Sequence, residues 1–475
     1  MLLILFLCGH AFAHSGKPKY HVIIDTDGAL DDMRSISMFL SGNEIRVLAI
    51  SCSQGTLLPG SVFVKVTSLL SAYHHEGIPV GISERIHDEL PAWEPFARSI
   101  PWGNELHTQD LKCVPGSIDL LNQAVEDYPN KVTLVALGSL KTYADWLKAN
   151  RNARDKIERI IWYNNHNLKE GFNYNLSPDS YEYIKQSGIK LEIVANARDD
   201  LYFNQDYINQ IHNTGSIYAG RIEDLYSGTA LDEKIKARHL HLWDDMVPLY
   251  LTVPVMFDIK SEQNLKFVSI YQQLPPGFIY ETIGKLFISS TSANNRVFID
   301  FPADTALYKP EYATKLNWTV GKFGLTEWKA ICLTNEIHGH TGIYSIIGAK
   351  MGIRAMEYYN VGVNNMKVVT FAGTKPPISC FNDGIQVSTG ATLGQGLITV
   401  ADSISVNPAA LFEFNHQKVH MSLKPEIAAQ MRYDIEYGVT HYGLLSDMYW
   451  IYIEELALKY WTDLDRQEIF SIQKL

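Results

Sequence analysis

Asp25, Asp27, Asp31 and Asp32 put four carboxylates into the eight residues Asp25-Thr26-Asp27-Gly28-Ala29-Leu30-Asp31-Asp32. Charges of one sign packed this densely repel one another unless a cation sits between them. The chemistry they suggest is metal-assisted attack by water, with one carboxylate free to take a proton. The elements that must hold them are written on either side. Val22, Ile23 and Ile24 read as a short buried strand, Gly28 as a turn, and Met33, Ile36, Phe39 and Leu40 as a helix. This arrangement sets the acids at the carboxyl end of a strand, where open α/β sheets bind ligands.

The same rhythm runs on for some 200 residues. Strand-like runs at Ile45–Ser51, Ile78–Ile82, Val132–Leu137, Ile157–Tyr163 and Leu191–Ala195 alternate with helix-like patterns at Ser61–Tyr73, Ser117–Tyr128 and Thr142–Ala149. Alternation of this kind predicts a doubly wound, mostly parallel α/β sheet. A proline-rich excursion over residues 83–116, with Trp93 and Trp102, is expected to cross the ligand crevice.

With 475 residues, 46% of them hydrophobic, the chain can bury more than one core. Its net charge of −11, with no Lys/Arg-rich run to offset it, argues against nucleic acid or an anionic membrane as partner and favours a small soluble substrate. Residues 1–13, apolar from Leu2 to Leu7 and closing on Ala11-Phe12-Ala13, read as a signal peptide, which implies a secreted or bacterial periplasmic protein. Beyond it no run of 18 apolar residues predicts a membrane span. The remaining four cysteines, Cys52, Cys113, Cys332 and Cys380, are too sparse for a disulfide framework. A homo-oligomer is left open.

The acidic run has competing readings. An EF-hand loop fails, because Ala29 and Leu30 stand where an acidic residue and a glycine are required. The run is similar to the DxDGTLxD of haloacid dehalogenase phosphatases, which would make Asp25 a nucleophile and Asp27 a general acid. Later segments favour another family. Asp25-x-Asp27-x-x-x-Asp31-Asp32, then Val132 to Leu140, then Phe172-Asn173 with Ser177-Pro178, and finally Trp243-Asp244-Asp245, resemble the inosine-uridine preferring nucleoside hydrolases over about residues 19–300. That family carries DxDxxxDD, LV-x-T-G-x-L-T-N, E-F-N-x-x-x-D-P and H-D-P in the same order.

The resemblance implies calcium held by Asp27, Asp32, the Leu137 carbonyl and Asp245, with Asp31 and Asn173 on the ribose hydroxyls. It implies that Asp27 takes a proton from the attacking water, giving hydrolysis of an N-riboside with inversion. Departures are expected to matter. The H-D pair is read as Asp244-Asp245, so Asp244 stands in the place of the catalytic histidine and His241, or His239, would substitute. E-F-N becomes Gly171-Phe172-Asn173, an early asparagine becomes Thr56, and Asn167 is the candidate sugar contact in Asn164-Asn165-His166-Asn167. The reading in which these losses abolish catalysis makes the chain a ligand-binding or sensor protein on the same fold.

Past residue 305 the pattern changes, and residues 309–322 read as a linker or as the last trim of the first domain. Glu336-Ile337-His338-Gly339-His340-Thr341-Gly342, Cys380-Phe381-Asn382-Asp383-Gly384-Ile385-Gln386 and Thr389-Gly390-Ala391-Thr392-Leu393-Gly394-Gln395-Gly396 resemble the HGHxCPG, CxxDAIQ and GCTxGKG of the formylmethanofuran dehydrogenase E-subunit family. This implies a smaller α+β domain over 325–475, following a first domain over 19–305. It also implies zinc or another transition metal at His338, His340 and Cys380, although family cysteines are absent at Gly342 and Ala391.

Overall fold

The computed structural model describes residues 18–103, 111–227, 229–288, 297, 298 and 300–475, so the signal-peptide reading of residues 1–13 lies outside the described residues. Eight strands form one sheet: β1 (Tyr20–Thr26), β2 (Ile45–Cys52), β3 (Val80–Ile82), β4 (Val132–Ala136), β5 (Ile157–Tyr163), β6 (Leu191–Ala195), β7 (Phe257–Glu262) and β8 (Leu265–Ile270). Their order is β3-β2-β1-β4-β5-β6-β8-β7, and every neighbouring pair is parallel except the β7–β8 hairpin at one edge. This is the doubly wound, mostly parallel sheet the alternation predicts. Order reverses between β2 on one side of β1 and β4 on the other, the kind of switch point at which such sheets open a crevice.

Side-chain alternation explains why β1 is apolar at consecutive positions. Val22 and Ile24 enter one core with Met33, Ile36 and Phe39, while Ile23 enters a second core with Leu134, Tyr143 and Trp162 on the opposite face. Helix α1 (Leu30–Ser41) is buried along nearly its whole length, its polar Arg34, Ser35, Ser37 and Ser41 included. It packs on β2 and on the helices Ile217–Tyr226, Met246–Thr252 and Pro276–Ile288. Helix α2 (Pro59–Ala72) follows β2.

A second sheet is separate. Strands β9 (Lys367–Thr370), β10 (Ile398–Val400), β11 (Ala409–Phe414), β12 (Gln417–Leu423) and β13 (Phe470–Lys474) run in the order β10-β9-β11-β12-β13, antiparallel but for the β9–β10 pair. Its core is shared with the helices Leu325–His338, Ile343–Tyr359 and Asp447–Asp463. Residues 309–322, read as a linker or the last trim of the first domain, are instead a helix, Pro310–Phe323, whose buried Leu316 belongs to this second core. Pro310 at its first turn and Gly324 after its end are the helix signals that the linker reading passed over. No helix of the described residues is long and apolar enough to cross a membrane.

Candidate active site

The β1–α1 turn builds the floor of the site. Gly28 has φ +84°, a conformation that costs glycine little, and the turn lets Asp32 reach back over it. Asp32 Oδ2 accepts hydrogen bonds from Thr26 Oγ1 (2.5 Å), the Asp27 amide (3.1 Å) and the Gly28 amide (3.1 Å). Its other oxygen, Oδ1, is buried with no partner, and so is Oδ1 of Asp244. Asp244 arrives at the head of the helix Met246–Thr252, more than 200 residues further along the chain.

One ligand atom from each of Asp31, Asp32 and Asp244 lies within 4.8 Å of the other two, the one such grouping of His, Cys, Asp or Glu among the described residues. Burial, and repulsion from Asp31 and Asp32, hold the Asp244 carboxyl well above the usual carboxylate range. The Asp31 carboxyl is pushed up to about 7 by desolvation and by Asp32. Asp27 is raised for the same reasons, although its Oδ1 accepts the Ala29 amide at 3.2 Å. A methyl at Gly55 would come within 2.1 Å of Asp27 Oδ2, so this glycine makes room for the carboxylate. Acids crowded together out of water, with buried oxygens left unpaired on Asp32 and Asp244, fit a divalent cation.

This structure corrects the ligand set. Asp245 does not face the crevice: it is wholly buried and ion-paired with Arg34 at 2.8 Å. Asp244 occupies the place expected of Asp245, so the late motif is read one residue earlier, and Trp243 rather than Asp244 stands where H-D-P has its histidine. Two adjacent aspartates look alike in a sequence, and only a buried partner tells them apart.

Above the acids opens a cleft of about 410 Å³. Asp27, Asp31, Thr56, Leu137 and Asn173 line it, as expected. Thr56 Oγ1 accepts from Trp93 Nε1 at 3.4 Å, and Asn173 Nδ2 donates to the carbonyls of Leu137 (2.7 Å) and Tyr163 (3.1 Å). Two expected residues are elsewhere. His241 is outside the lining, its ring stacked on Trp243 at 5.2 Å, and it is His239 that reaches the cleft. Asn167 is exposed and donates to Glu170 (3.1 Å), four residues past the end of β5 and at the head of the short turn Leu168–Glu170.

Besides Asn173 and Asn165, the cleft is lined by Asn164 and Asn196, which immediately follow β5 and β6. The rule that ligands gather at strand carboxyl ends could have found both. Trp93 and Phe96 come from the excursion expected to cross the crevice, and with Phe172 and Trp243 they make its walls aromatic. Trp93 meets Phe172 edge-on at 5.1 Å.

In the second sheet's region, His338 ends a helix and Gly339 at φ +83° turns the chain before His340. Their rings lie 4.3 Å apart. His338 Nδ1 is 2.8 Å from Asp383 Oδ2, while its Nε2 is buried and unpartnered. Cys380 shares a pocket of about 630 Å³ with His338 and Asp383, and His340 faces a different one. Although the two rings are neighbours, His338, His340 and Cys380 do not bring ligand atoms within 4.8 Å of one another, so the expected three-ligand set is not formed.

The fold and the acid-floored cleft define an α/β enzyme with its site at the switch point of a parallel sheet. The family model for the inosine-uridine preferring nucleoside hydrolases matches residues 22–284, more than half of the chain, and the chain belongs to that family of N-glycosyl hydrolases. A second family model, FmdE, molybdenum formylmethanofuran dehydrogenase operon, matches residues 337–437. Among curated proteins, the pyrimidine-specific ribonucleoside hydrolase RihA of Klebsiella pneumoniae is 24% identical over 258 residues, covering 50% of this chain and 80% of that protein. The RihA of Shewanella sp. (strain ANA-3) is 21% identical over 325 residues, covering 62% of this chain and 98% of that one. A solved structure, the purine-preferring ribonucleoside hydrolase from Gardnerella vaginalis, aligns with TM-score 0.46 at 14% identity, over 57% of this chain and 99% of that chain.

Proposed function

We propose that the chain hydrolyses the N-glycosidic bond of a ribonucleoside or related N-riboside in a calcium-dependent manner. The observation that carries the reading is the convergence of Asp31, Asp32 and Asp244 beneath an aromatic-walled cleft that Asp27 also lines. Asp32 and Asp244 would hold the ion through their unpaired oxygens, with Asp27, Asp31 and the Leu137 carbonyl beside them. An all-oxygen set suits calcium. When bound, such an ion supplies Lewis-acid activation of water at neutral pH.

The chain's own residues account for the rest. Asp27 takes the proton of the attacking water as the new C–O bond forms. The bond to the base nitrogen breaks, its electron pair leaves with the base, and the developing positive charge on the sugar faces Asp31 and Asp27. The free Oδ1 of Asn173 accepts from a sugar hydroxyl. His239, the histidine at the cleft, gives its own ring proton to the leaving nitrogen and regains one from solvent as Asp27 releases the proton it took, while the flat face of the base stacks on Trp243 and Trp93. Attack by water without a covalent intermediate inverts the anomeric centre.

The test is release of base from uridine and inosine by the full chain, with and without chelator. Asp27→Asn is expected to lower kcat by about 10²–10⁴-fold, the range for loss of a general base. Base release unaffected by both chelator and Asp27→Asn would end this reading.

For the carboxyl-terminal region we infer a metal bound through His338. A carboxylate on one ring nitrogen and an unpaired second nitrogen is the usual posture of a metal-ligating histidine. Zinc or a similar transition metal suits the imidazole. Metal analysis of the full chain should find it, and His338→Ala should remove it while leaving calcium in place. Export directed by residues 1–13 belongs to the same proposal, and amino-terminal sequencing of the secreted protein tests it.

A further inference from the structure

Arg34 is a charged residue on a helix that is buried on every side. Only 1% of it is exposed, and Asp245, 211 residues later, is fully enclosed. The two meet as a fork: Nε donates to Asp245 Oδ1 at 2.9 Å and Nη2 to Oδ2 at 2.8 Å. Nη2 also donates to the His241 carbonyl at 3.0 Å, Nη1 to the Tyr226 hydroxyl, and the guanidinium lies 5.0 Å from the Phe203 ring centroid.

Stability alone gives little reason for such a pair. Removing two charges from water is costly, and well-packed apolar residues of similar volume often serve the fold as well or better. Position gives a better reason. Arg34 follows Asp31 and Asp32 within one turn of α1, and Asp245 is the residue after Asp244. With Asp244 in the carboxylate place of H-D-P, Asp245 stands where that motif carries proline. The pair therefore joins the two elements whose acids converge, and a bidentate fork fixes distance and angle together.

We propose that the Arg34–Asp245 pair is a positioning clasp that holds Asp244 against Asp31 and Asp32, so that cation affinity depends on it. The inference rests on the cation reading above. It is tested on the full chain, stripped with chelator and titrated with calcium by calorimetry. In Arg34→Met/Asp245→Leu the two charges are replaced together by apolar side chains, so unfolding of the ion-free protein is expected within a few degrees of wild type. Calcium affinity is expected to fall about 10–100-fold, as when outer partners of metal ligands are removed.

Arg34→Lys keeps the charge but not the fork, and is expected to lose at least about tenfold. It carries the test if the double variant does not fold. Calcium binding within about twofold of wild type in the folded double variant, or in Arg34→Lys, overturns the clasp and leaves the cation reading standing. A wild-type chain that binds no calcium overturns both.

Discussion

Asn164 and Gly171 divide one space between them. A Cβ at 171 would sit 2.1 Å from Asn164 Oδ1, so the glutamate of the E-F-N motif cannot stand there while the asparagine keeps its place. Asn164 is buried and braces the turn after β5, donating to the Leu168 carbonyl at 2.9 Å and accepting the Tyr174 amide at 3.1 Å. What reads in the sequence as the loss of an acid is, in the fold, an exchange of one polar group for another at the same cleft. Gly171→Glu alone is expected to cost about 1–3 kcal/mol by overpacking, seen as a lowered Tm. With Asn164→Ala in the same chain the space reopens, and thermal unfolding should recover more than half of the loss. Strictly additive losses would show that Asn164 is not what excludes the glutamate.

At the scale of elements, the junction between β1 and α1 does the most. Ala29 offers no side-chain cap, and Asp32 in the first turn instead binds the amides of Asp27 and Gly28, where the positive end of the helix dipole also favours it. Gly28 combines φ +84° with a neighbour, Leu57 Cδ1, only 2.9 Å from where a Cβ would be. Gly28→Ala is expected to destabilise by about 1–3 kcal/mol through backbone strain and to weaken calcium binding, because Asp32 loses its frame; denaturant unfolding and calcium titration check the two effects.

The strand-and-helix frame around this junction was legible because buried parallel strands leave continuous apolar runs such as Ile157–Tyr163 and Leu191–Ala195, which match β5 and β6 at both ends. Asp27, Asp31 and Asp32 were legible because local repulsion demands an explanation. Less legible was anything set by contact across the chain. The choice between Asp244 and Asp245 turns on Arg34, 211 residues from Asp245, and the choice of Asn164 over Asn167 turns on where β5 stops. Pro310–Phe323 was missed because its pattern belongs to a core formed mostly by residues further on.

At the scale of the molecule, the two sheets are joined through the end of the helix Ile343–Tyr359. Arg354 donates to both Glu76 carboxylate oxygens (3.2 and 3.0 Å) and to the His74 carbonyl, and the Gly77 amide donates to the Tyr358 carbonyl at 2.8 Å. Asn360 donates to the Leu40 carbonyl at 3.1 Å, near the carboxyl end of α1, so the second region touches the helix that carries the acids. His75 sits in this seam. Its Nδ1 meets the Glu357 carbonyl and its Nε2 the Tyr218 hydroxyl, both at 2.6 Å.

A carbonyl can only accept, so Nδ1 bears the hydrogen and Nε2 accepts from the tyrosine, which is the neutral ring. Burial pushes the His75 pKa down to about 4, with His74 and Arg354 adding to the effect and the Glu357 carbonyl and carboxylate opposing it. The folded value lies below that of a free histidine, near 6.5, so the folded state binds fewer protons than the unfolded one. The stability His75 contributes is therefore complete above pH about 6.5 and is lost as pH falls from there through about 4. His75→Gln keeps a donor and an acceptor but cannot titrate. The Tm difference between wild type and His75→Gln should be largest near pH 7 and shrink steadily toward pH 4; a difference that stays constant over that range would mean that His75 is not the neutral group in the seam.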